Sequence, residues 1–155
     1  MSRLILIGCG KAKGPAKTEA ADLYTGNLFK ARRAYALMAS DRGDLPEVRI
    51  VSAKFGAISF HTEIAPYDTT IKDLDRLDRA AWTLGVVQQI IDELADGTDP
   101  REVILELHLG ADYAEPIRDV AIAVGFKVDW ATKGMGIGEQ LAWYKSGSRT
   151  WGRPR

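Results

Sequence analysis

The segment VSAKFGAISFHTEIAPYD, residues 51–68, decides how the rest of the sequence is interpreted. It continues the apolar run 48–51, which is typical of a buried strand, and then carries polar side chains in a pattern too irregular for a helix. A second loop of this kind, residues 8–13, follows the apolar run 4–7. Open α/β proteins bind their ligands in loops that follow the carboxyl ends of strands. The two loops together predict a ligand site.

Strand-like runs and helical patterns alternate along the chain. Strands are predicted at residues 4–7, 48–51, 103–107 and 126–130, and helices at residues 28–39, 71–94, 111–124 and 139–144. Because parallel neighbours need a crossover connection, usually a helix, this alternation predicts an α/β fold. We expect a single domain, residues 1–145, with an open, mostly parallel sheet of about four strands flanked by helices. Residues 146–155 are expected to form a basic C-terminal tail.

The spacing of apolar residues predicts which face is buried in two of these helices. In helix 28–39 the apolar residues recur at helical spacing, which predicts that Lys30, Arg32 and Arg33 lie on the outer face. Helix 71–94 is the longest, and its apolar stripe is expected to pack on the sheet. The members of that stripe are Leu74, Leu77, Ala81, Leu84, Val87, Ile91 and Leu94.

Composition restricts the class of protein. The 155 residues carry 21 basic and 21 acidic side chains, so the formal net charge is zero. Proteins that bind nucleic acid over a wide surface are usually basic, so any affinity for duplex DNA is expected to be weak and nonspecific. The N-terminus lacks a cationic leader, and no apolar run approaches the roughly 20 residues that span a bilayer. We therefore expect a cytoplasmic protein without membrane contact, and the sequence predicts no oligomeric state.

The loop GCGKAKG, residues 8–14, has properties of a phosphate-binding loop. Its glycines would let the backbone wrap a phosphate, and Lys11 and Lys13 would neutralise one. The loop matches neither the Walker A pattern nor G-x-G-x-x-G, so a plain glycine turn with solvated lysines is the alternative. Cys9 is either a nucleophile activated by nearby cations or a buried, unreactive residue at the end of a strand.

Aromatic and hydroxyl side chains occur in the other candidate loops. Tyr67 and Asp68 are suited to stack on and hydrogen-bond a base or ribose, although a docked turn would have the same sequence. Tyr24 and Thr25 are suited to contact a sugar or phosphate, and are equally ordinary before a helix. The histidines and Cys9 show no ligand spacing such as C-x-x-C or H-x-x-x-H, so neither a metal nor another cofactor is expected.

Six motifs carry a resemblance to a known group of proteins. They are CGKAK (9–13), DLYTG (22–26) followed by Phe29, SAKFG (52–56), PYD (66–68), LGADY (109–113) and GMGIGEQLAW (134–143). Over nearly the whole chain this set resembles a family of uncharacterised small proteins from phages and actinobacteria. Over its first half the chain distantly resembles the YaaA-like proteins of peroxide stress. In those proteins Ser-Pro-Ala-Lys, Tyr-Thr-Gly, Ser-Gly-Leu-Tyr-Gly and Pro-Tyr occur in the same order.

The resemblance to YaaA-like proteins implies DNA binding and protection of DNA from oxidative damage. It also implies a shared pocket, whose residues here would be Lys11 or Lys13, Tyr24, Thr25, Ser52, Lys54 and Tyr67. The chain departs from that family in having Cys9 where it has serine. It also lacks the extra helical material with which those proteins are thought to grip DNA.

The sequence and the resemblance together predict a nucleotide- or nucleic-acid-base-processing enzyme, acting on an N-glycosidic or phosphate-bearing substrate. Its ligand would be a nucleotide, a nucleoside or a nucleic-acid base. The ligand-binding residues predicted are Cys9, Lys11, Lys13, Tyr24, Thr25, Ser52, Tyr67, Tyr113, Gly134 and Gly136. The catalytic candidates are Asp68, Glu139 and Lys54, and Asp112 also qualifies as a general base. The alternative is a non-catalytic DNA-binding or DNA-protective module.

Overall fold

A computed structural model of the chain describes residues 2–40 and 47–151. The strands are β1 (Ser2–Gly8), β2 (Thr18–Glu19), β3 (Glu47–Ser52), β4 (Gly56–Ile58), β5 (Glu63–Ile64), β6 (Val103–His108) and β7 (Lys127–Asp129). The helices are α1 (Ala20–Leu23), α2 (Asn27–Ser40), α3 (Arg76–Glu93), α4 (Ala111–Val124) and α5 (Ile137–Trp151). Short 3₁₀ helices span Ile71–Asp73 and Pro100–Glu102.

The strands form a five-stranded sheet in the order β4-β3-β1-β6-β7. Strands β3, β1, β6 and β7 pair in parallel, and β4 pairs antiparallel with β3 at one edge. The predicted single-domain α/β fold with a mostly parallel sheet is confirmed. The fifth strand, β4, comes from the loop that the sequence left irregular, because the chain turns back on β3 within three residues. Strands β2 and β5 form a separate antiparallel pair.

The helices cover both faces of this sheet. On one face α2 packs against α5, and on the other α3 packs against α4. Strand β1 contributes Ile5 and Ile7 to the first core and Leu4 and Leu6 to the second. A central parallel strand is apolar on both faces for this reason. In the part of the chain that the structure describes, no helix is long and apolar enough to cross a membrane.

The predicted apolar stripe of helix 71–94 is only partly correct: Val87 is buried and Ile91 and Leu94 pack against the core, whereas the first half of the stripe is mostly exposed. The helix proper, α3, begins at Arg76, and its buried residues are Thr83, Val86, Val87 and Ile90. Leu77 and Leu84 are 81% and 58% exposed. Apolar side chains occur on both adjacent faces of this helix, so spacing alone could not choose between them. The face that carries Val86, Val87 and Ile90 lies in the core, and Leu77 and Leu84 lie on the exposed side.

Helix α5 is longer than the predicted helix 139–144. It runs from Ile137 to Trp151 and therefore passes the expected start of the basic tail at residue 146 without a break in its backbone. Tyr144 is buried against α2 and contributes to the core there. Residues 152–155 of the expected tail lie outside the described residues.

Substitutions at Ile90 and Leu84 test which face of α3 is buried. Ile90→Ala should lower the free energy of unfolding by about 2–5 kcal/mol, because it opens a cavity in the core. Leu84→Ala should change it by no more than about 0.5 kcal/mol, because that side chain is exposed. Urea denaturation of both variants measures the difference, and equal losses would contradict this assignment.

Candidate functional site

The connections that follow β1 and β6 diverge at the carboxyl ends of these two strands. The two strands are parallel neighbours, with Ile7 opposite His108. The chain leaves β1 toward α2 on one face and leaves β6 toward α4 on the other. Connections that diverge in this way leave a crevice at the end of the sheet, where open α/β proteins bind ligands. The loops after β1, β3 and β6 all lie at this edge.

Three tyrosines gather at this edge, and we call Tyr24, Tyr67 and Tyr113 the tyrosine cluster. The hydroxyl groups of Tyr24 and Tyr67 are 2.5 Å apart, and the Tyr67 hydroxyl is also 2.6 Å from Ser52 Oγ. Tyr113 comes from α4, and its hydroxyl is 3.9 Å from Cys9 Sγ. Cys9, Ser52 and the three tyrosines therefore meet here from separate parts of the chain, and their role as ligand-binding residues stays a prediction.

Burial raises the pKa values of these phenols. The pKa of Tyr24 rises to about 12, chiefly because burial disfavours the phenolate. The pKa values of Tyr67 and Tyr113 also rise, through burial first and then through the nearby Cys9. All three hydroxyl groups are therefore protonated at neutral pH. They can donate and accept hydrogen bonds, but they are poorly suited to act as general bases.

Two lysines lie over the ring of Tyr67. Lys13 Nζ is 4.4 Å from the ring centroid and Lys54 Nζ is 6.0 Å from it. The two ammonium groups are thus far closer than two Debye lengths, about 20 Å at 0.1 M salt, so both act on the same ligand charge. Within residues 2–40 and 47–151, neither ammonium has a carboxylate oxygen within 4.0 Å. The edge therefore carries concentrated, unneutralised positive charge.

A tight turn after β3 places Lys54 at the edge. Ser52 Oγ accepts hydrogen bonds from the backbone N–H groups of Lys54 and Phe55, at 3.2 and 3.1 Å. Gly56 has a φ of 74°, a left-handed conformation that favours glycine. Gln89 of α3 then holds the returning chain, because its Oε1 accepts from Ala57 N and its Nε2 donates to Phe55 O. The lysine is exposed on a rigid turn.

The remaining predicted residues lie around this cluster without joining its hydrogen bonds. Lys11, Thr25 and Asp68 are exposed. Glu139 is also exposed, in the first turn of α5, where its Oε1 accepts from the backbone of Gly136 at 3.4 Å. Gly134 has a φ of 79° and precedes that helix. No hydrogen bond in the described ranges connects Asp68 or Glu139 to the tyrosine cluster, so both stay predicted catalytic residues.

Arg32 is a site residue that the sequence reasoning missed, since the prediction placed it on the outer face of its helix. The residue is only 4% exposed. Its Nη1 lies 2.9 Å from the position that a Cβ on Gly8 would occupy, and its Nη2 donates to Gln140 Oε1 at 3.1 Å. Helical spacing from Phe29 to Tyr35 passes through residue 32, so the buried stripe itself was the available signal.

A second missed feature is a buried polar network on Glu106. Its Oε1 is 2.6 Å from Arg3 Nη1. Its Oε2 accepts a hydrogen bond from Tyr35 and is 2.6 Å from His108 Nε2. His108 Nδ1 lies 2.9 Å from the Tyr144 hydroxyl. His108 is fully buried at the end of β6.

Other features of the described residues were considered as sites. A cavity of about 470 Å³ lies between α3 and α4, lined by Leu74, Arg76, Arg79, Ala80, Thr83 and Pro116. It contains none of the predicted ligand-binding residues. The described ranges hold no cluster of three or more His, Cys, Asp or Glu side chains that suits a metal ion.

Removing the hydroxyl group of Tyr67 should destabilise the protein. Tyr67→Phe leaves the buried hydroxyl groups of Tyr24 and Ser52 without their shared partner, at a cost of about 1–3 kcal/mol. Tyr113→Phe is the matched control, because its hydroxyl makes only long contacts and should cost less. Chemical denaturation measures both, and an unchanged stability of Tyr67→Phe would contradict the geometry. The sequence suggested instead that Tyr67 serves ligand binding more than stability.

The ionised form of Glu106 should make stability depend on pH. Burial by itself raises the pKa of this carboxyl, but the hydrogen bond and charge of His108, the Tyr35 hydroxyl and Arg3 outweigh it and lower the pKa. A folded-state pKa below the unfolded value, about 4.3, contributes stability above that pH, and this is lost as pH falls through the folded-state pKa. Glu106→Gln should therefore be less stable than the parent protein at pH 7.

The stability difference between parent and Glu106→Gln should shrink on acidification to about pH 3, since the parent carboxyl then protonates. Unfolding free energies at both pH values test this. A difference that stays constant would show that Glu106 is not ionised in the folded protein.

Comparison with known proteins identifies a family whose function is unknown. A search of the curated proteins found no match. The sequence model of a family of unknown function (DUF6884) matches residues 4–146, which include every element from β1 to most of α5. The chain belongs to this family.

Proposed function

We propose that the edge between β1, β3 and β6 binds a nucleotide, a nucleoside or a nucleic-acid base, and that the protein is an enzyme acting on such a substrate. The observation that carries this proposal is the pair of ammonium groups, Lys13 and Lys54, over one buried ring. Within the described ranges neither is neutralised by a carboxylate. Lys13 Nζ donates to the backbone oxygen of Lys11 at 3.1 Å, a neutral partner, so an anionic ligand would still supply the missing counter-charge.

The hydroxyl groups beneath the lysines complement a sugar. The phenol of Tyr113 is partly exposed, remains protonated at neutral pH and can hydrogen-bond a ribose hydroxyl. The phenol of Tyr24 is buried and paired with Tyr67, so it holds that ring in place. Tyr67 is less suited to base stacking than its sequence suggested, because the ring is buried and Lys13 lies over it. A phosphate near the lysines and a ribose near the phenols is the arrangement that these groups favour.

The reaction proposed is cleavage or transfer at an N-glycosidic or phosphate-ester bond. Such reactions need a general acid or base and electrostatic stabilisation of the leaving group. Asp68 follows Tyr67 directly and is exposed, so it is the carboxylate nearest in sequence to the cluster. Glu139 at the start of α5 is the other candidate, and Lys54 would stabilise developing negative charge.

A DNA-binding or DNA-protective role is the second candidate. It is supported by the resemblance of the first half of the chain to YaaA-like proteins. It is also favoured by the exposure of Lys11, Lys17 and Lys30, because exposed lysines suit contacts with a phosphate backbone. In this case the site would bind DNA without chemistry.

Binding measurements on lysine variants test the first candidate. Isothermal titration with a panel of nucleoside mono-, di- and triphosphates should detect binding to the parent protein. Lys13→Met and Lys54→Met keep the apolar stem but remove the charge, and each should weaken binding about 10- to 100-fold, as expected for a charged hydrogen bond. Lys17→Met is the matched control, because that lysine is exposed outside the cluster, and its affinity should equal that of the parent.

Two outcomes would contradict the proposal. One is nucleotide binding that Lys13→Met and Lys54→Met leave unchanged. The other is an absence of nucleotide binding together with salt-dependent binding of duplex DNA in a fluorescence anisotropy assay, which would support the second candidate.

A further inference from the structure

We propose that Arg32 is a buried anchor for one phosphate group, held at the bottom of the crevice between β1 and β6. The inference rests on the proposed function only for the source of that phosphate, which would be the nucleotide. The chemistry that Arg32 recognises is an oxyanion, and free orthophosphate satisfies it equally. Arg32 was not among the predicted site residues, and it is distinct from the exposed lysines at the rim.

The first argument is the missing counter-charge. The guanidinium is 4% exposed, and in the described part of the chain no carboxylate oxygen lies within 4.0 Å of it. Its Nε is buried without a hydrogen-bond partner. Its Nη2 bonds to the neutral amide of Gln140. An unpaired buried charge is costly, and arginine cannot avoid the cost by losing its proton.

The neighbouring polar groups do not supply the missing negative charge. Burial lowers the pKa of Arg32, and the Tyr144 hydroxyl is the group that most opposes this. Tyr144 itself is neutral, since burial raises its pKa to about 12. The carboxylate of Glu106 is already bound by Arg3, Tyr35 and His108. Cys9 is the other group that favours the charged form of Arg32. No carboxylate among the described side chains compensates that charge.

The second argument is where the guanidinium lies. Its Nη1 is 2.9 Å from the place of a Cβ on Gly8, and the Cα of Leu109 is 3.5 Å from the same point. Arg32 thus reaches the carboxyl ends of both central strands. The next residue after Leu109 is Gly110, the N-cap of the 14-residue helix α4, which has no side-chain cap hydrogen bond. The free N–H groups and the dipole of a helix N-terminus attract anions.

The two features are independent and act on the same point. A helix N-terminus offers backbone donors on the β6 side, and a buried guanidinium offers charged donors on the α2 side. The planar guanidinium can bind two phosphate oxygens at once, which gives geometry as well as charge. A side chain at Gly8 would displace Nη1 from this position.

The competing explanation is that Arg32 is a structural brace. Gln140 also donates to Met135 O, so the arginine is linked to the loop that precedes α5. Loss of Arg32 would then lower stability whether or not phosphate is present. A phosphate anchor predicts a different result, namely the loss of a phosphate-dependent gain in stability.

Thermal unfolding with and without sodium phosphate separates these explanations. Orthophosphate should raise the melting temperature of the parent protein above that in sodium chloride of matched ionic strength, because a ligand that binds only the folded state stabilises it. Arg32→Met should bind orthophosphate about 10- to 100-fold more weakly and lose this increase. Arg33→Met is the matched control, since that arginine pairs with Asp22 at 3.5 Å and should keep the increase.

A second measurement follows the parent protein and needs only the conservative variant Arg32→Lys. In a ¹H–¹⁵N spectrum of the parent protein, one arginine Nε–H resonance should shift on titration with orthophosphate and not with chloride. Arg32→Lys keeps the positive charge but lacks the planar guanidinium group. The resonance that disappears in this variant is therefore that of Arg32. These data decide the question even if Arg32→Met fails to fold.

The outcomes distinguish this inference from the proposed function. Orthophosphate binding that needs Arg32, without any nucleotide binding, supports the anchor and contradicts the nucleotide proposal. Nucleotide binding that needs Lys13 and Lys54 but is unchanged in Arg32→Met supports the function and overturns the anchor. An absence of any orthophosphate effect on melting temperature and on the arginine resonances also overturns it.

Discussion

Parallel pairing of β1 with both β3 and β6 is the constraint on which the rest of the structure depends. A parallel neighbour cannot be reached by a hairpin, so each connection has to cross a face of the sheet. Such crossovers are right-handed. Helix α2 connects β1 to β3 and helix α4 connects β6 to β7, in opposite directions along the sheet, so the two helices lie on opposite faces. The crevice at the carboxyl ends of β1 and β6 follows directly from that geometry.

The polar residues near this crevice fall into two groups with different physical roles. Ser52, Tyr24 and Tyr67 are buried and bind one another, so their hydroxyl groups satisfy the requirement that buried polar groups be paired. Lys13 and Lys54 lie above them without a carboxylate partner in the described ranges. The first group holds the loops together, and the second leaves charge available to a ligand. The buried hydroxyl groups are therefore held in place, while the two ammonium groups above them have no carboxylate partner in the described ranges.

Buried charge is distributed unevenly beneath this site. Glu106 has three partners that favour its ionised form, one of them the partly exposed Arg3. Arg32, on the same side of the sheet, has the amide of Gln140, the phenol of Tyr144 and Cys9 near it, and no carboxylate partner among the described residues. Proteins keep a charge of this kind at a cost in stability, and the cost is commonly met where binding requires it. The same face thus contains one buried carboxylate with an arginine partner and one buried guanidinium without a carboxylate partner among the described residues.

The sequence by itself determined the alternation of strands and helices, and with it the parallel sheet and the edge where Cys9, Ser52 and Tyr67 meet. Periodicity and glycine loops are local signals, so they could be recognised without coordinates. Which face of α3 is buried was decided only by tertiary packing, because apolar residues stand on two adjacent faces and the sheet admits one. Arg32 and His108 were likewise placed by tertiary structure. Their burial depends on partners such as Gln140 and Tyr144, which are distant in sequence, and no local pattern encodes such a contact.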